Sequence, residues 1–434
     1  MSHEPRAKSQ KPRAMSQERT SATEVLSIGD ELLYGHITDT NAAWLARRLL
    51  ALGLPVAHFQ TVGDELSEIA SAFRLALSRA EVVLATGGLG PTEDDLTVAG
   101  LAQALGLPLE CREEVLDQMA SRLRRPKEQL TGPDRKQAYL PQGAAALRND
   151  WGTAPGVRCL TGQERVVFLM PGVPREMEGI FETWIVPWLK EHGPRRLGVA
   201  MKHLHTFGVP EAVIGARIRE LMRPGTNPDV GTRVSGGVVT VRVLARGESR
   251  EEAEKIMAPV VVRVREALSD CLFGEDGKTL AEATADALLE RRLTVAIAES
   301  CTAGLATAML AGVPGISASL LEGAIVYSNE AKVRECGVRP ETLAEHGAVS
   351  AEAARELAEG IRRRAGADFG LAITGIAGPT GDTPDKPVGL VLFAVAGPAG
   401  TEVAERRFPG HDRNVVRERA AHWALDLLRR AALA

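Results

Sequence analysis

Short apolar runs that stop at glycine-rich or polar turns recur along this chain, and they constrain the fold more than any other feature. Val25 to Ile28, Val56 to Val62, Val82 to Thr86 and Val166 to Met170 fall in the first half. Leu293 to Ala298, Gly323 to Val326, Leu371 to Thr374 and Val388 to Val395 fall in the last third. Such runs read as strands buried in parallel sheets. Open sheets of that kind hold their ligands at the carboxyl ends of the strands, so the turns that close these runs are where chemistry is sought.

At 434 residues the chain exceeds one ordinary core, and two or three domains are expected. A hydrophobic content of 44% with 25% charged residues is that of a soluble globular protein. The net charge of −4, with no basic half, gives no nucleic-acid footprint. No apolar stretch reaches the roughly 18 residues needed to span a bilayer, so no membrane partner is expected. Residues 1–22 are polar and basic without an apolar centre, so they read as a disordered tail rather than a secretory signal, with Met15 as an alternative start. Five cysteines, odd in number and without a C-x-x-C pair, argue against disulfides or structural zinc and fit a reducing cytoplasm.

The runs divide the chain. Residues 23–185 read as a β-α-β-α-β-α domain, doubly wound, whose first helix starts near Asn41 and carries Leu45, Leu49 and Leu52 on one face. Residues 186–273 read as a small α+β module. It holds a helix from Glu211 to Met222, a hairpin about Gly236-Gly237 with Val238, Val241 and Val243 in apolar positions, and a helix from Glu251 to Leu268. Residues 274–278 read as a linker. The capping box Thr279-Leu280-Ala281-Glu282 then opens a second α/β domain, residues 279–434.

Two clusters carry chemistry. In the first domain, Gly87, Gly88 and Gly90 with Thr92 lie between a strand and a helix beginning near Leu96. Amides there can face an anion, although an ordinary strand-to-helix turn would look the same. Asp94 and Asp95 beside such a loop make sense with a divalent cation such as Mg²⁺ between carboxylate and phosphate. Asp30 and Glu31 close the first strand and are expected in the same crevice, with Asp39 and Asn41 as caps of the following helix.

In the last domain, Glu299-Ser300-Cys301-Thr302 and Tyr327 to Lys332 each follow a strand. A hydroxyl nucleophile and an amine able to lose its proton are the parts of a Ser–Lys amide hydrolase, which needs no metal. Ser300 or Thr302 could instead simply cap the next helix. Cys301 is a rival nucleophile without an obvious histidine, and His422 sits in a helical apolar pattern that suits packing. Thr374-Gly375-Ile376-Ala377-Gly378-Pro379 forms a second glycine-rich loop, and Arg413 with Arg417 offers a cationic clamp.

These segments, with Gly29 to Leu33, Pro171-Gly172-Val173-Pro174, Glu176-Met177 and Lys386-Pro387-Val388-Gly389, resemble those of the competence/damage-inducible protein A family (CinA) from about Val25 to the last helix. The resemblance implies a molybdopterin-binding-like N-terminal domain acting as a metal-dependent ADP-ribose pyrophosphatase. It implies a KH-type middle module and a C-terminal α/β/α domain that converts nicotinamide mononucleotide to nicotinic acid mononucleotide and ammonia. It assigns catalysis to Ser300 and Lys332, assisted by Tyr327, Thr374 and Arg413, and implies a homodimer. Gly87, Gly88, Gly90, Thr92 and Asn41 are expected at the first substrate, Thr302, Gly375 and Gly378 at the second. Asp94, Asp95, Asp30 and Glu31 are expected at the metal. The middle module has no G-x-x-G loop, so nucleic acid is not an expected partner. Two departures stand out: Ala303 occupies a usual glycine position, and Gly410-His411-Asp412-Arg413 is one residue longer than the family's pattern.

Overall fold

The computed structural model describes residues 22–162, 165–194 and 196–434. Residues 1–21 of the expected tail, Met15 included, lie outside the described residues. Packing divides the chain into a unit that runs to Val199 and includes Gly247–Glu252, and a unit of Ala200–Arg246 with Ala253–Ala434.

The first unit carries β1 (Thr23–Ile28), β2 (Val56–Val62), β3 (Val82–Thr86), β4 (Leu109–Cys111), β5 (Tyr139–Pro141), β6 (Ala145–Leu147), β7 (Gly156–Thr161) and β8 (Arg165–Met170). One sheet runs β2-β1-β3-β8-β7-β6, and β4 pairs with β5 apart from it. The four strands read from the apolar runs are those that lie parallel. The antiparallel β7 and β6 were not expected from sequence, because β6 is very short and β7 is interrupted by the polar Arg158. Leu26, Ile28, Val83, Ala85, Val167 and Leu169 enter one core, while Val25, Val82, Leu84, Val166 and Phe168 enter the other. That alternation covers the sheet on both faces. Burial of one such side chain contributes about 1.5–3 kcal/mol, more than the ~1 kcal/mol span of strand propensities, so burial decides these strands.

The middle module is a sheet ordered β10-β11-β9-β12, from β9 (Gly198–Phe207), β10 (Asp229–Ser235), β11 (Val238–Gly247) and β12 (Leu272–Glu275). The hairpin turns where expected, at Gly236 and Gly237, whose φ values of 57° and 85° suit the two-residue turn that matches strand twist. Its buried residues are Val239, Val241 and Val243 rather than Val238, which pairs with Ser235 beside the turn. The helix read as Glu211 to Met222 ends at Arg217, and a 3₁₀ turn follows over Arg219–Leu221. The long helix spans Arg250–Ala267. Gly274 and Glu275, read as linker, belong to β12, where Glu275 is paired with Lys202 and Arg265.

The last domain opens with the expected capping box at Thr279 and Glu282. Its strands are β13 (Val295–Glu299), β14 (Leu320–Ile325), β15 (Phe369–Gly375), β16 (Leu390–Gly397) and β17 (Gly400–Arg407), in the order β14-β13-β15-β16-β17. The first three are parallel and the last two antiparallel. β14 begins at Leu320, earlier than the run from Gly323, because it is a half-exposed edge strand. β17, mostly exposed and charged, gave no apolar signal. Ile297, Leu371, Ile373 and Phe393 face helices Leu280–Glu290 and Arg413–Leu433, while Ala296, Ala298, Ala372 and Leu392 face helix Ala351–Ala365. The layers are therefore helix, sheet, helix.

The turn after β13 takes two left-handed residues in succession, Ala303 at φ 51° and Gly304 at φ 90°. An alanine there has no room to avoid the clash of its Cβ with the backbone, at a cost of about 1–2 kcal/mol, partly offset because glycine is freer in the unfolded chain. Ala303→Gly should therefore raise stability by about 0.5–1 kcal/mol in a chemical unfolding series. A loss of stability on this change would show that the methyl group packs favourably enough to outweigh the strain.

Candidate active sites

Parallel strands present their carboxyl ends along one edge, so residues far apart in sequence meet there. In the first unit these ends deliver Gly29 to Glu31 after β1, Asp64 after β2, Gly87 to Asp95 after β3 and Pro171 to Glu176 after β8. Glu31, Asp64, Asp94, Asp95 and Glu176 line one cavity of about 410 Å³ together with Gly87, Gly88 and Gly90. Gly87 (φ 100°) leaves no room for a side chain, since a Cβ would lie 2.0 Å from the Ile28 carbonyl oxygen. Asn41 donates through Nδ2 to the Gly172 carbonyl (2.7 Å), while its buried Oδ1 has no partner.

The acidic residues differ in their ties. Thr92 donates its amide (2.8 Å) and hydroxyl (2.5 Å) to Asp95, which fixes that carboxylate within the loop. Asp30 does not line the cavity. It accepts from the Asp64 amide (3.2 Å), and its own amide donates to the Asp64 carboxylate (2.9 Å). Burial pushes the Asp64 pKa up, and the nearby charges of Asp30, Glu31 and Asp94 push it further. No three His, Cys, Asp or Glu side chains among the described residues are grouped closely enough to hold one ion. The oxygen donors still suit a hard cation held by one or two carboxylates, with water and substrate phosphate completing its shell. Sequence reading missed Asp64, although the run that ends at Val62 pointed to it as the run to Ile28 pointed to Asp30.

In the last domain the ends of β13, β14 and β15 lie side by side. Ser300 follows β13, and its amide donates to the Ile373 carbonyl on β15 (2.9 Å). Lys332 sits in helix Asn329–Cys336, whose cap is Ser328. Its side chain turns inward, is 1% exposed, and brings Nζ to 3.3 Å from Ser300 Oγ. The same Nζ donates to the carbonyls of Val326 (2.9 Å) and Tyr327 (3.1 Å). Burial depresses the Lys332 pKa below the usual lysine value.

Tyr327 and Arg413 also meet. The guanidinium donates to the Tyr327 hydroxyl (2.8 Å) and the Gly378 carbonyl (2.6 Å), so the longer loop before Arg413 still delivers it to this edge. Thr374 is buried, and its hydroxyl donates to the Ala348 carbonyl (2.7 Å). Gly375 ends β15. Arg417 donates to the Thr302 carbonyl (3.0 Å), and the buried Thr302 hydroxyl has no partner. Cys301 is buried and its thiol is pushed up to about 12 by burial, which removes it as a thiolate nucleophile. His422 is half-buried beside Phe207, with ring centroids 6.3 Å apart.

Neither Ser300 nor Thr302 caps the next helix. Helix Leu305–Ala311 is capped from outside by Glu299, which is fully buried. Its carboxylate accepts from the amides of Gly304 (3.1 Å), Ala306 (3.1 Å) and Thr307 (2.7 Å) and from the Thr307 hydroxyl (2.6 Å). Sequence reading quoted Glu299 as part of a segment without giving it a role. A carboxylate ending a buried strand was the available signal.

Comparison with known proteins follows these divisions. Residues 24–191 match the family profile described as a probable molybdopterin binding domain, 201–274 the damage-inducible protein CinA KH domain, and 277–432 the CinA C-terminal domain. A CinA-like protein of Kosmotoga olearia is 41% identical over 410 residues, 94% of this chain and 98% of that protein. One of Dictyoglomus turgidum is 41% identical, covering 94% and 99%. The crystal structure of a competence/damage inducible protein from Agrobacterium tumefaciens is 38% identical and covers 36% of this chain and 94% of its own, with a TM-score of 0.35. With three family profiles matched in order and relatives aligned almost end to end, the chain belongs to the CinA family.

Proposed function

We propose that the C-terminal domain is a metal-independent amidase for nicotinamide mononucleotide, producing nicotinic acid mononucleotide and ammonia. The observation that carries this reading is the buried Lys332 amine 3.3 Å from Ser300 Oγ. A neutral amine has two N–H groups and one lone pair. The carbonyls of Val326 and Tyr327 accept both N–H groups, which leaves the lone pair for the Ser300 hydroxyl. Lys332 then takes the serine proton as Oγ attacks the amide carbon, and returns it to the departing nitrogen as ammonia leaves. Water, activated by the same amine, cleaves the resulting ester to the carboxylate and restores both groups. Tyr327 and Arg413 supply a hydroxyl and a cation at the rim, suited to the anionic nucleotide. The identity of the substrate rests on the family resemblance.

We further propose that the N-terminal domain hydrolyses ADP-ribose to AMP and ribose 5-phosphate with a divalent cation. Its support is the cavity lined by five carboxylates, in which the Asp64 pKa is raised by burial and by its acidic neighbours. Such an excess of negative charge is what a cation relieves. One or two of Asp94, Glu31 and Asp64 would hold the ion, which when bound supplies charge neutralisation for a pyrophosphate. Asp95, tied to Thr92, shapes the glycine loop, and Asn41, bonded to the Gly172 carbonyl, ties helix Thr40–Ala51 to the turn after β8.

Lys332→Arg should lower ammonia release at least about 10³-fold while substrate affinity changes little, because arginine keeps the charge and cannot give up its proton. In the unaltered enzyme kcat/KM should rise with pH through the depressed lysine pKa and then level, since the base works only when deprotonated. Substantial turnover by the arginine variant would sink the general-base role.

Asp94→Asn, or EDTA, should cut ADP-ribose hydrolysis about 100-fold or more and leave ammonia release within a factor of two. The measurement is AMP and ammonia formed by the same preparation. Parallel loss of both products would count against two separate sites.

A further inference from the structure

The amides of residues 300–307 can be accounted for one by one. Ser300 donates to Ile373, Ala303 to the Ser300 carbonyl (3.1 Å) and Leu305 to the Thr302 carbonyl (3.3 Å). Gly304, Ala306 and Thr307 donate to Glu299. Six of the eight are thus engaged. The remaining two belong to Cys301 and Thr302, which directly follow the proposed nucleophile; neither donates to an oxygen among the described residues, and the acceptor within their reach is the Cys301 thiol, a weak one.

Their freedom has a physical cause. The bond from Ala303 to Ser300 closes a β-turn whose central residues are Cys301 and Thr302, and central amides take no part in a turn's own bond. Ordinarily water would satisfy them. Here Thr302 is fully buried and Cys301 nearly so, and the Thr302 hydroxyl is unpartnered as well. Donors left to so weak an acceptor in a buried place are costly and call for an explanation.

We infer that the N–H groups of Cys301 and Thr302 form the oxyanion site for the Ser300 reaction. This rests on the amidase reading above and adds to it the group that receives the developing charge. As the bond from Oγ to the amide carbon forms, the π pair of the C=O moves onto oxygen and the serine proton passes to Lys332. The new oxyanion is then met by the two amides. When the C–N bond breaks, the pair returns to the carbonyl and ammonia carries the proton away. Glu299 makes this possible by taking three of the later amides and holding the turn rigid, so donors are fixed before the charge appears. Arg417 holds the same turn through the Thr302 carbonyl. The rival donors are the Tyr327 hydroxyl and Arg413, which engage each other (2.8 Å).

The test replaces Thr302 by its α-hydroxy-acid counterpart in the full chain, turning its amide into an ester and removing one N–H. We expect kcat for nicotinamide mononucleotide to fall about 10²–10³-fold, the loss typical of one oxyanion donor, with KM within about threefold. A kcat within threefold of the unaltered enzyme, or a KM effect alone, overturns the assignment. A second measurement needs no variant. In protein labelled with ¹⁵N-cysteine, the aldehyde analogue of the substrate, which forms a hemiacetal on Ser300, should move the Cys301 amide proton downfield. An unmoved Cys301 amide on a formed adduct assigns the oxyanion to Tyr327 or Arg413 instead. Absence of ammonia release by the unaltered enzyme removes the amidase reading itself, whereas activity indifferent to the ester removes only the oxyanion site.

Discussion

A buried carboxylate with no ion-pair partner among the described residues holds the candidate C-terminal site together. Glu299 ends β13, an interior strand of its sheet, and its charge is satisfied by three amides and one hydroxyl. Carboxylates are almost never fully buried unless so satisfied. The turn it encloses contains two successive left-handed residues, one of them alanine, and would not choose this shape unaided. The four bonds therefore fix the far end of a strained loop, and the Ser300 amide bonded to β15 fixes the near end. The serine between them has little freedom left, which is the condition for a nucleophile to meet its base at a defined distance.

Most of the parallel framework was legible because burial on both faces leaves a mark in sequence. Val82 to Thr86 and Leu293 to Ala298 can be read as strands without knowing their neighbours. Elements whose stability comes from pairing rather than burial left no such mark. β17 is exposed and charged, β6 has three residues, and Gly274 with Glu275 looks like a turn until the edge of the middle sheet is known. The hairpin turn was readable from its two glycines, but the phase of its buried valines depended on which face meets the module's helices.

The sites were legible in the same uneven way. Strand-end segments named Ser300, Lys332, Tyr327, Asp94 and Glu31 because parallel topology sends strand ends to one edge. Lys332 pointing inward could not be read, since a lysine in the first turn of a helix usually faces water. Neither could the role of Glu299, or the way Thr92 ties Asp95 into its loop. These are properties of side-chain direction and of who else has claimed a donor. The one-residue lengthening before Arg413 looked disruptive in sequence. In space it is absorbed in the exposed turn about Gly410, and the guanidinium still reaches Tyr327 and Gly378.

The two edges share an architecture and oppose each other in charge. At the first, burial raises the pKa of Asp64 and crowded carboxylates raise it further, so the region favours cations. At the second, the main acidic group, Glu299, is spent on N–H donors, and arginines reach the rim. Lys332, the proposed base, is the exception within that second edge, its charged form disfavoured by burial. Under the proposed amidase reading, this arrangement separates two tasks that a single cation performs badly. Binding an anionic nucleotide needs a permanent charge, which the high pKa of arginine supplies. Proton transfer needs an amine that is neutral part of the time, which burial supplies and a partner carboxylate would have abolished. Among the described residues no carboxylate pairs with Lys332, whose acceptors are two carbonyls and the serine itself. Dipoles orient the amine, and the charge of nearby Glu330 raises its pKa by less than burial lowers it.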